Sequence, residues 1–245
     1  MRSLLVPYHH PDPLPALARA YAADDAIVVA KGAPGAMLAH LYRTAAERVA
    51  ARDEPLVVLS GDCTTSLATV AGLQRRGIAP GVIWFDAHGD FHTARTTRSG
   101  YLGGMALAML TGRGGAALTG AIGLAPVDDT RCVLAGARDV EPGEREALAA
   151  SAVRQVAVET LGDADLPQSP WYVHLDLDVV DPGEMPPLRF PAPGGPSLEA
   201  VAQALRALAA RGTIAALGVA CTLTPAAFDL PDALAPVRAL VDAAA

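Results

Sequence analysis

The chain has 245 residues, of which 51% are hydrophobic and 18% are charged, and its formal net charge is -7. This composition supplies enough apolar material for a buried core and excludes the class of disordered chains. The acidic chain has no cluster of lysine and arginine residues, so it lacks the positive surface that nucleic acids and anionic membranes require. We therefore predict neither as a partner.

The N-terminal segment and the cysteines indicate the cellular setting. Residues 1–7 are apolar over a stretch too short for a signal peptide or a membrane span, so we expect a cytoplasmic protein. The three cysteines, Cys63, Cys132 and Cys221, lie far apart and lack a C-x-x-C spacing. This spacing predicts neither a disulfide framework nor a zinc ribbon.

Short apolar runs alternate along the chain with longer amphipathic stretches, a pattern typical of strands buried on both faces and of helices that cover them. The predicted strands cover residues 26–30, 56–60, 82–85, 132–136, 171–175 and 214–220. The predicted helices include 37–51, 144–150 and 198–210. The alternation has no linker and no internal repeat. It predicts a single domain over residues 1–245 with an α/β fold, a three-layer αβα sandwich around a mostly parallel sheet.

Polar clusters follow three of the predicted strands directly. Because the carboxyl ends of parallel strands share one edge of a sheet, these clusters should meet in the ligand crevice. They are Asp62 and Cys63 after 56–60, Asp86, His88 and Asp90 after 82–85, and Asp176 and Asp178 after 171–175.

Carboxylates gathered at one edge repel each other, and each like-charge pair at ~4 Å costs about 4 kcal/mol at an effective dielectric constant near 20. Divalent cations relieve this repulsion better than protons do. An oxygen-rich set of ligands with one imidazole favours manganese over zinc or copper, and the charge suits two ions. Either motif alone is more often a helix cap or a turn, but the two together after buried strands predict a metal site.

These motifs resemble those of the ureohydrolases, the arginase and agmatinase family. The family's Gly-Asp-His-Ser, Asp-Ala-His-x-Asp and Asp-x-Asp-x-x-Asp-Pro segments match residues 61–64, 86–90 and 176–182 in order and spacing. The resemblance implies an arginase-like fold with two Mn²⁺ ions. Its implied metal ligands are Asp86 and Asp176 as bridges, His88 and Asp178 in one site, and Asp90 with Cys63 in the other.

The resemblance also implies a reaction. In the family, water activated by two cations attacks a guanidinium carbon, and Asp90 would orient that water and relay its proton. Segments 96–100 and 138–144 resemble those that bind the carboxylate and the ammonium group of arginine, which favours an arginine-like amino acid over agmatine. For Thr97 and Ser99 alone, turn-forming hydroxyls are the alternative. The residues expected to bind substrate are His92, Thr97, Ser99, Glu141 and Glu144.

Three positions depart from the family pattern. Cys63 replaces a histidine ligand, Gly103 replaces an active-site histidine, and Thr222 replaces the late glutamate that grips the guanidinium. His92 and Tyr101 replace two asparagines and are expected to act as donors. Because a soft thiolate matches manganese poorly, the site that contains Cys63 should be the weaker one. The alternative is that Cys63 is a small apolar core residue.

Cys63 and segment 100–105 also resemble a branch that includes the Nω-hydroxyarginine amidinohydrolase of cycloserine biosynthesis. A hydroxyguanidine is less basic than a guanidine, so the loss of an anionic clamp at Thr222 would cost less. We therefore predict a manganese-dependent amidinohydrolase that converts arginine or Nω-hydroxyarginine to ornithine and urea or hydroxyurea.

Two other functions stay open. One is a catalytically impaired relative with a structural or regulatory metal, and the other is a zinc-dependent amide hydrolase of the related deacetylase group. The predicted partner is a small-molecule guanidino substrate, and the resemblance implies a homo-oligomer of open size.

Overall fold

A central sheet organises the chain, for which a computed structural model describes residues 1–29 and 34–245. A small antiparallel hairpin follows the first strand of this sheet and comes before its other strands in the chain. The strands within the described ranges, hairpin included, are β1 Arg2–Val6, β2 Tyr8–His9, β3 Asp12–Pro13, β4 Asp25–Ala26, β5 Leu56–Ser60, β6 Gly81–Phe85, β7 Cys132–Ala135, β8 Arg154–Val156, β9 Trp171–Asp176 and β10 Ile214–Ala220.

Eight of these strands form one sheet in the order β4-β1-β5-β10-β9-β6-β7-β8, and every neighbouring pair is parallel. Parallel neighbours need crossover connections, and helices supply most of them. The helices of the described ranges are α1 Pro15–Ala20, α2 Pro34–Ala50, α3 Thr65–Arg75, α4 Ala106–Leu110, α5 Ala116–Ile122, α6 Pro142–Ala149, α7 Leu198–Arg211 and α8 Ala235–Ala243.

Helices pack on both faces of the sheet, so its central strands are buried on both sides. One hydrophobic cluster contains Leu41 of α2 and Leu67 of α3, and the other contains Leu205 of α7 and Leu240 of α8. All five residues of β5 and all six of β9 are buried. The α/β fold with three layers and a parallel sheet, predicted from the apolar runs, is confirmed.

Five of the six predicted strands agree with the structure to within one residue at each end. Segment 26–30 is different, because only Asp25 and Ala26 pair with β1, at the edge of the sheet. The apolar run that follows is not a strand over residues 27–29, and Val28 is 90% exposed. A strand at the edge of a sheet forms backbone hydrogen bonds with one neighbouring strand only. Here that pairing ends after Ala26. Residue 30 lies outside the described residues.

The prediction omitted β1, although this strand lies between β4 and β5 in the sheet. The alternation of strand and helix signals begins near these residues, but no strand range was assigned to them. The long helix α3 and the short edge strand β8 were also missed. None of the described helices is long and apolar enough to span a membrane.

The topology brings four functional loops to one place. Strands β5, β10, β9 and β6 are consecutive neighbours in the sheet and run in the same direction. Their carboxyl ends therefore share one edge, which in parallel α/β sheets is where ligands bind.

Candidate metal centre

A cavity of about 300 Å³ opens at the carboxyl ends of β5, β10, β9 and β6. This volume lies at the lower end of the range for small-molecule sites. All the residues that the sequence predicted as metal ligands line it, namely Cys63, Asp86, His88, Asp90, Asp176 and Asp178.

The turn after β6 positions Asp86. Its Oδ1 accepts a hydrogen bond from the backbone N–H of His88 at 2.8 Å, which closes the turn. Its Oδ2 accepts one from the indole N–H of Trp84 at 3.1 Å. Both carboxylate oxygens are thereby held in fixed directions at the bottom of the cavity.

The loop after β9 is tied to the loops that follow β10 and β6. Asp176 Oδ1 accepts hydrogen bonds from the backbone N–H of Asp178 at 2.9 Å and from the hydroxyl of Thr222 at 2.6 Å. Asp178 Oδ1 accepts one from the backbone N–H of Ala87 at 3.1 Å. These contacts cross between neighbouring strand ends and fix the carboxylates relative to one another.

One group of metal-ligating atoms comes from Asp86, His88 and Asp178, and these atoms lie within 4.8 Å of one another. His88 Nδ1 is 3.1 Å from Asp178 Oδ2 and 3.4 Å from Asp86 Oδ1. Burial lowers the pKa of His88, but hydrogen bonds and charges of the two carboxylates outweigh it and raise this pKa to about 12. The two carboxylates therefore favour a positive charge beside them, which a bound cation would also supply.

A second group comes from Cys63, Asp86, Asp90 and His174, again within 4.8 Å of one another. Asp86 belongs to both groups, which is the arrangement predicted for a bridging ligand. Asp176, the other predicted bridge, lies beside this group, because the Cys63 thiol donates to its Oδ2 at 3.0 Å.

The electrostatics of the second group call for a cation. Burial and the charges of Asp86 and Asp176 raise the pKa of Asp90 well above its usual value. Burial and the charges of Asp178 and Asp86 do the same to the pKa of Asp176. Burial and nearby carboxylates also raise the pKa of the Cys63 thiol. A bound cation would favour the ionised form of every one of these groups.

Asp90 has a strained backbone and one carboxylate oxygen that is unpaired within the described ranges. Its φ of 48° lies in the left-handed region, which a non-glycine residue adopts at a cost. Its Oδ2 is buried without a hydrogen-bond partner among the described residues. Buried polar atoms are normally satisfied, so this oxygen fits a metal ligand. The residues present therefore fit a bound divalent metal ion.

His174 was missed by the sequence prediction. It lies inside β9, where it was counted as part of an apolar run. The signal was available in the strand period, because residues two apart in a strand point to the same face. His174 is two residues before Asp176 and therefore faces the same side of the sheet.

The same cavity is lined by His92, Ser99, Glu141 and Glu144, four of the five residues predicted to bind substrate. His92 Nε2 lies 3.3 Å from Glu141 Oε2 and 3.6 Å from Glu144 Oε2. The Glu141 side chain is about half exposed, whereas that of Glu144 is buried.

Glu144 also has a structural role. Its Oε1 accepts from the backbone N–H of Phe91 at 2.9 Å and its Oε2 from that of Glu141 at 3.2 Å. Burial raises the pKa of Glu144. A Cβ at Gly89 would come within 3.0 Å of Glu144 Oε1, so the glycine lets this carboxylate approach the Asp86–Asp90 loop.

Thr97 is not among the described residues that line this cavity. Its hydroxyl accepts a hydrogen bond from the backbone N–H of Gly100 at 3.0 Å, and it lines a neighbouring cavity. Ser99 lines the predicted site, but its hydroxyl accepts from the backbone N–H of Tyr101 at 3.1 Å. Both hydroxyls thus take part in the turn, as the alternative for these two residues predicted.

Tyr101 occupies the space next to Gly103. A Cβ built at Gly103 would overlap the phenol ring of Tyr101. The hydroxyl of Tyr101 is 3.2 Å from His9 Nε2, and the two rings stack with centroids 5.5 Å apart. The phenol therefore fills the region that a larger residue at position 103 would require.

Asp62 lies outside the cavity, although the sequence left it open as a further member of the carboxylate cluster. Its Oδ2 accepts from the backbone N–H of His10 at 2.6 Å and its Oδ1 from that of Thr64 at 3.0 Å. It therefore joins the N-terminal hairpin to the loop after β5.

Arg138 is a supporting residue that the sequence prediction did not single out. Its guanidinium donates to the carbonyl oxygens of Asp178 and Val179, both at 2.9 Å, and of Ala192 at 2.7 Å. It thereby holds the loop that carries Asp178 from the side away from the cavity.

Comparisons with known proteins are consistent with this geometry. A model of the arginase family matches residues 8–227. The Nω-hydroxy-L-arginine amidinohydrolase of Streptomyces lavendulae is 34% identical over 155 residues, which are 59% of this chain and 52% of that protein. The arginase of Bacillus caldovelox is 33% identical over 165 residues, 62% of this chain and 55% of that protein. The chain thus spans about half the length of the curated relatives that it matches.

Solved structures share the fold over nearly the whole chain. The arginase of Bacillus subtilis superposes with a TM-score of 0.84 at 23% identity, covering 99% of this chain and 97% of that one. The structure of Bacillus caldovelox arginase superposes with a TM-score of 0.79 at 26% identity, covering 90% and 83% of the two chains.

Proposed function

We propose that this chain, which belongs to the arginase family, is a manganese-dependent amidinohydrolase acting on arginine or Nω-hydroxyarginine. The products would be ornithine and urea or hydroxyurea. One observation carries the proposal. A single cavity is lined both by a group of four aspartates, a histidine and a cysteine and by the acids Glu141 and Glu144, of which Glu141 is half exposed. This arrangement suits a substrate with a reactive group at one end and an ammonium group at the other.

The group of four aspartates, a histidine and a cysteine would hold two manganese ions. Asp86, His88 and Asp178 would hold one, and Cys63, Asp86 and Asp90 the other, with Asp176 within reach of both. When bound, the ions would act as Lewis acids and lower the pKa of water. As predicted from its thiol, the group with Cys63 should bind manganese more weakly.

Asp90 is the residue that we assign to proton transfer. Hydrolysis breaks the bond between the guanidino carbon and the nitrogen attached to the substrate's side chain. The oxygen of one water becomes bonded to that carbon. For a guanidinium, both protons of the water end on the leaving nitrogen, which departs as an ammonium group. For a neutral N-hydroxyguanidine, one proton goes to the leaving nitrogen and the other to the nitrogen that carries the hydroxyl group, so an amine departs and takes its third proton from solvent. The carboxyl group of Asp90 is buried beside the other carboxylates, where one of its oxygens can accept a proton and return it while the other binds metal.

The opening of the cavity would orient the rest of the substrate. Glu141 is the best candidate for the substrate ammonium group, because its carboxylate is half exposed while that of Glu144 is occupied by two backbone N–H groups. His92 lies between these two acids and can donate to the substrate carboxylate. Ser99 stays a proposed carboxylate contact, whereas Thr97 would first need the loop to move.

Thr222 supports the hydroxylated substrate over arginine itself. Its hydroxyl is committed to Asp176, so this position presents no negative charge to a guanidinium. A neutral N-hydroxyguanidine depends less on such a charge than a guanidinium does.

The test is a hydrolysis assay on manganese-loaded protein with arginine, Nω-hydroxyarginine and agmatine. Asp178→Ala serves as the control for contaminating enzyme. Turnover of hydroxyarginine above arginine, absent in the variant, supports the proposal. If metal binds and none of the three is hydrolysed, the chain is the catalytically impaired relative. Hydrolysis of acetylated amines with zinc would point instead to the deacetylase-like function. The cytoplasmic location, the single domain and the homo-oligomer stay predictions.

A further inference from the structure

We propose that His174 is a metal ligand, and that together with Cys63 it gives one of the two ion sites a preference for zinc or cobalt(II) over manganese. The inference rests on the proposed function, because it requires that this site holds metal. A ring nitrogen of His174 lies within 4.8 Å of ligand atoms of Cys63, Asp86 and Asp90.

The free nitrogen of the ring is Nε2. The other nitrogen, Nδ1, lies 2.9 Å from the hydroxyl of Ser66. Nε2 is buried without a hydrogen-bond partner in the described part of the chain, and the residue is 1% exposed. Metal-binding histidines commonly donate from one ring nitrogen while the other binds the ion, and Ser66 can accept here.

The ring is held in place by its surroundings. It packs against the indole of Trp84, with centroids 3.8 Å apart at 31°. The same indole donates to Asp86 Oδ2 at 3.1 Å, and Asp86 is a member of the same ligand group. Trp84 therefore positions the imidazole and the carboxylate relative to each other, which preorganises a ligand set.

The ligand types differ between the two groups. Asp86, His88 and Asp178 offer two carboxylates and one imidazole, which suits a hard cation such as Mn²⁺. Cys63, Asp86, Asp90 and His174 offer a thiolate, an imidazole and two carboxylates. Sulfur and nitrogen ligands in a group of four suit tetrahedral zinc. The two ion sites should therefore differ in the metal that they select.

The first test uses the unaltered protein labelled with ¹⁵N in its six histidines and titrated with Zn²⁺. Long-range ¹H–¹⁵N spectra report the state of each ring nitrogen. We expect the Nε2 signal of His174 to move to the metal-bound position while Nδ1 carries the proton. Binding of Zn²⁺ with an unchanged His174 ring would overturn the inference.

The second test measures Zn²⁺ and Mn²⁺ binding by calorimetry. We expect His174→Gln to lower the affinity for Zn²⁺ at one site at least tenfold. The affinity of the other site should stay within about twofold of its value in the unaltered protein. His40→Gln is the matched control, because His40 is exposed on α2, and it should change neither.

The outcomes separate the two proposals. No metal binding to the unaltered protein would overturn both. If His174→Gln binds two ions with the same affinities as the unaltered protein, this inference alone is overturned and the proposed function stands. If His174→Gln fails to fold, judged by circular dichroism, the spectra of the unaltered protein decide.

Discussion

The hydroxyl of Thr222 donates a hydrogen bond of 2.6 Å to Asp176 Oδ1. Thr222, in the loop after β10, therefore orients this carboxylate and adds no charge of its own to the cavity. The bond lies fully inside the protein, where hydrogen bonds to charged groups stabilise by about 1.5–3 kcal/mol.

Thr222→Val keeps the shape of the side chain and removes this donor. We expect Mn²⁺ to bind about tenfold more weakly, since Asp176 loses a bond that orients it and favours its ionised form. Calorimetric titration measures the change. Thr44→Val, on α2, removes a hydroxyl that bonds its own helix and should leave binding unchanged. Equal affinities in both variants would show that the bond to Asp176 has no part in metal binding.

The contact between Tyr101 and Gly103 predicts a dependence between these two positions. Gly103→Ala should lower the free energy of unfolding by about 1–3 kcal/mol, because its Cβ would overlap the phenol ring. In Tyr101→Ala the same substitution at Gly103 should cost much less. A double-mutant cycle by chemical denaturation measures the coupling.

Gly104→Ala is the control for this cycle, since a Cβ at Gly104 meets nothing within 4 Å. If Gly103→Ala is as mild as Gly104→Ala, the phenol ring does not occupy the space beside Gly103.

Substitution of Asp90 should have opposite effects on the stability of the metal-free protein and on activity. Asp90→Asn removes a buried carboxyl group whose ionisation is unfavourable without metal, and it keeps a residue type that tolerates positive φ. The metal-free variant should unfold at a temperature equal to or above that of the unaltered protein. Turnover of the preferred substrate should fall by about 10²–10⁴-fold, the usual contribution of acid–base catalysis. Asp163→Asn, at an exposed position, should change neither quantity.

Glu141 and Glu144 are adjacent acids with different expected roles. Glu141→Gln should raise KM about tenfold with little effect on melting temperature, since its carboxylate is half exposed. Glu144→Gln should lower the free energy of unfolding by about 1–3 kcal/mol, because an amide leaves one of two backbone N–H groups without an acceptor. Steady-state kinetics and denaturation on both variants separate the roles. Equal losses of stability would contradict this division.

The metal-free protein should become less stable as pH rises. Burial and the charge of Asp86 raise the pKa of Asp178 from 3.8 to about 6, so the folded state holds this proton longer than the unfolded chain does. The contribution of Asp178 to the free energy of unfolding is therefore complete below pH 3.8 and is lost between pH 3.8 and about pH 6. The pKa of His88 is raised from 6.5 to about 12, so His88 makes a further contribution to stability that is complete below pH 6.5 and is lost progressively as pH rises from 6.5 to about 12.

Manganese should reverse this trend, because metal binding releases these protons and strengthens as pH rises. Melting temperatures at pH 5 and pH 8, with and without Mn²⁺, measure both effects. A stabilisation by Mn²⁺ that is as large at pH 5 as at pH 8 would contradict the assignment of these groups as ligands.

Much of the site was predictable because its residues belong to short motifs that directly follow predicted strands. The motifs from Asp86 to Asp90 and from Asp176 to Pro182 follow apolar runs directly, and parallel topology brings strand ends together. The match of the arginase family model over residues 8–227 confirms the resemblance drawn from these motifs.

Three side chains show what the apolar runs alone do not predict. His174 lies inside an apolar strand, and only its position two residues before Asp176 indicates that it faces the same side of the sheet. Thr97 stays a predicted substrate contact, and in the structure its hydroxyl accepts a hydrogen bond from the backbone N–H of Gly100 within the turn. Asp62 follows a strand as the other acids do, yet its carboxylate turns toward His10 and Thr64.

The sequence by itself determined the class of the fold, the sheet edge that carries the site and the identity of most groups there, because these follow from periodicity and from the order of motifs. Only the tertiary structure decided which side chains share a ligand group. Whether Cys63 meets His174, whether Tyr101 fills the space beside Gly103 and whether Thr222 bonds Asp176 depend on distances between residues far apart in the chain. Those distances are set by how neighbouring strands and the loops after them pack, which local patterns do not encode.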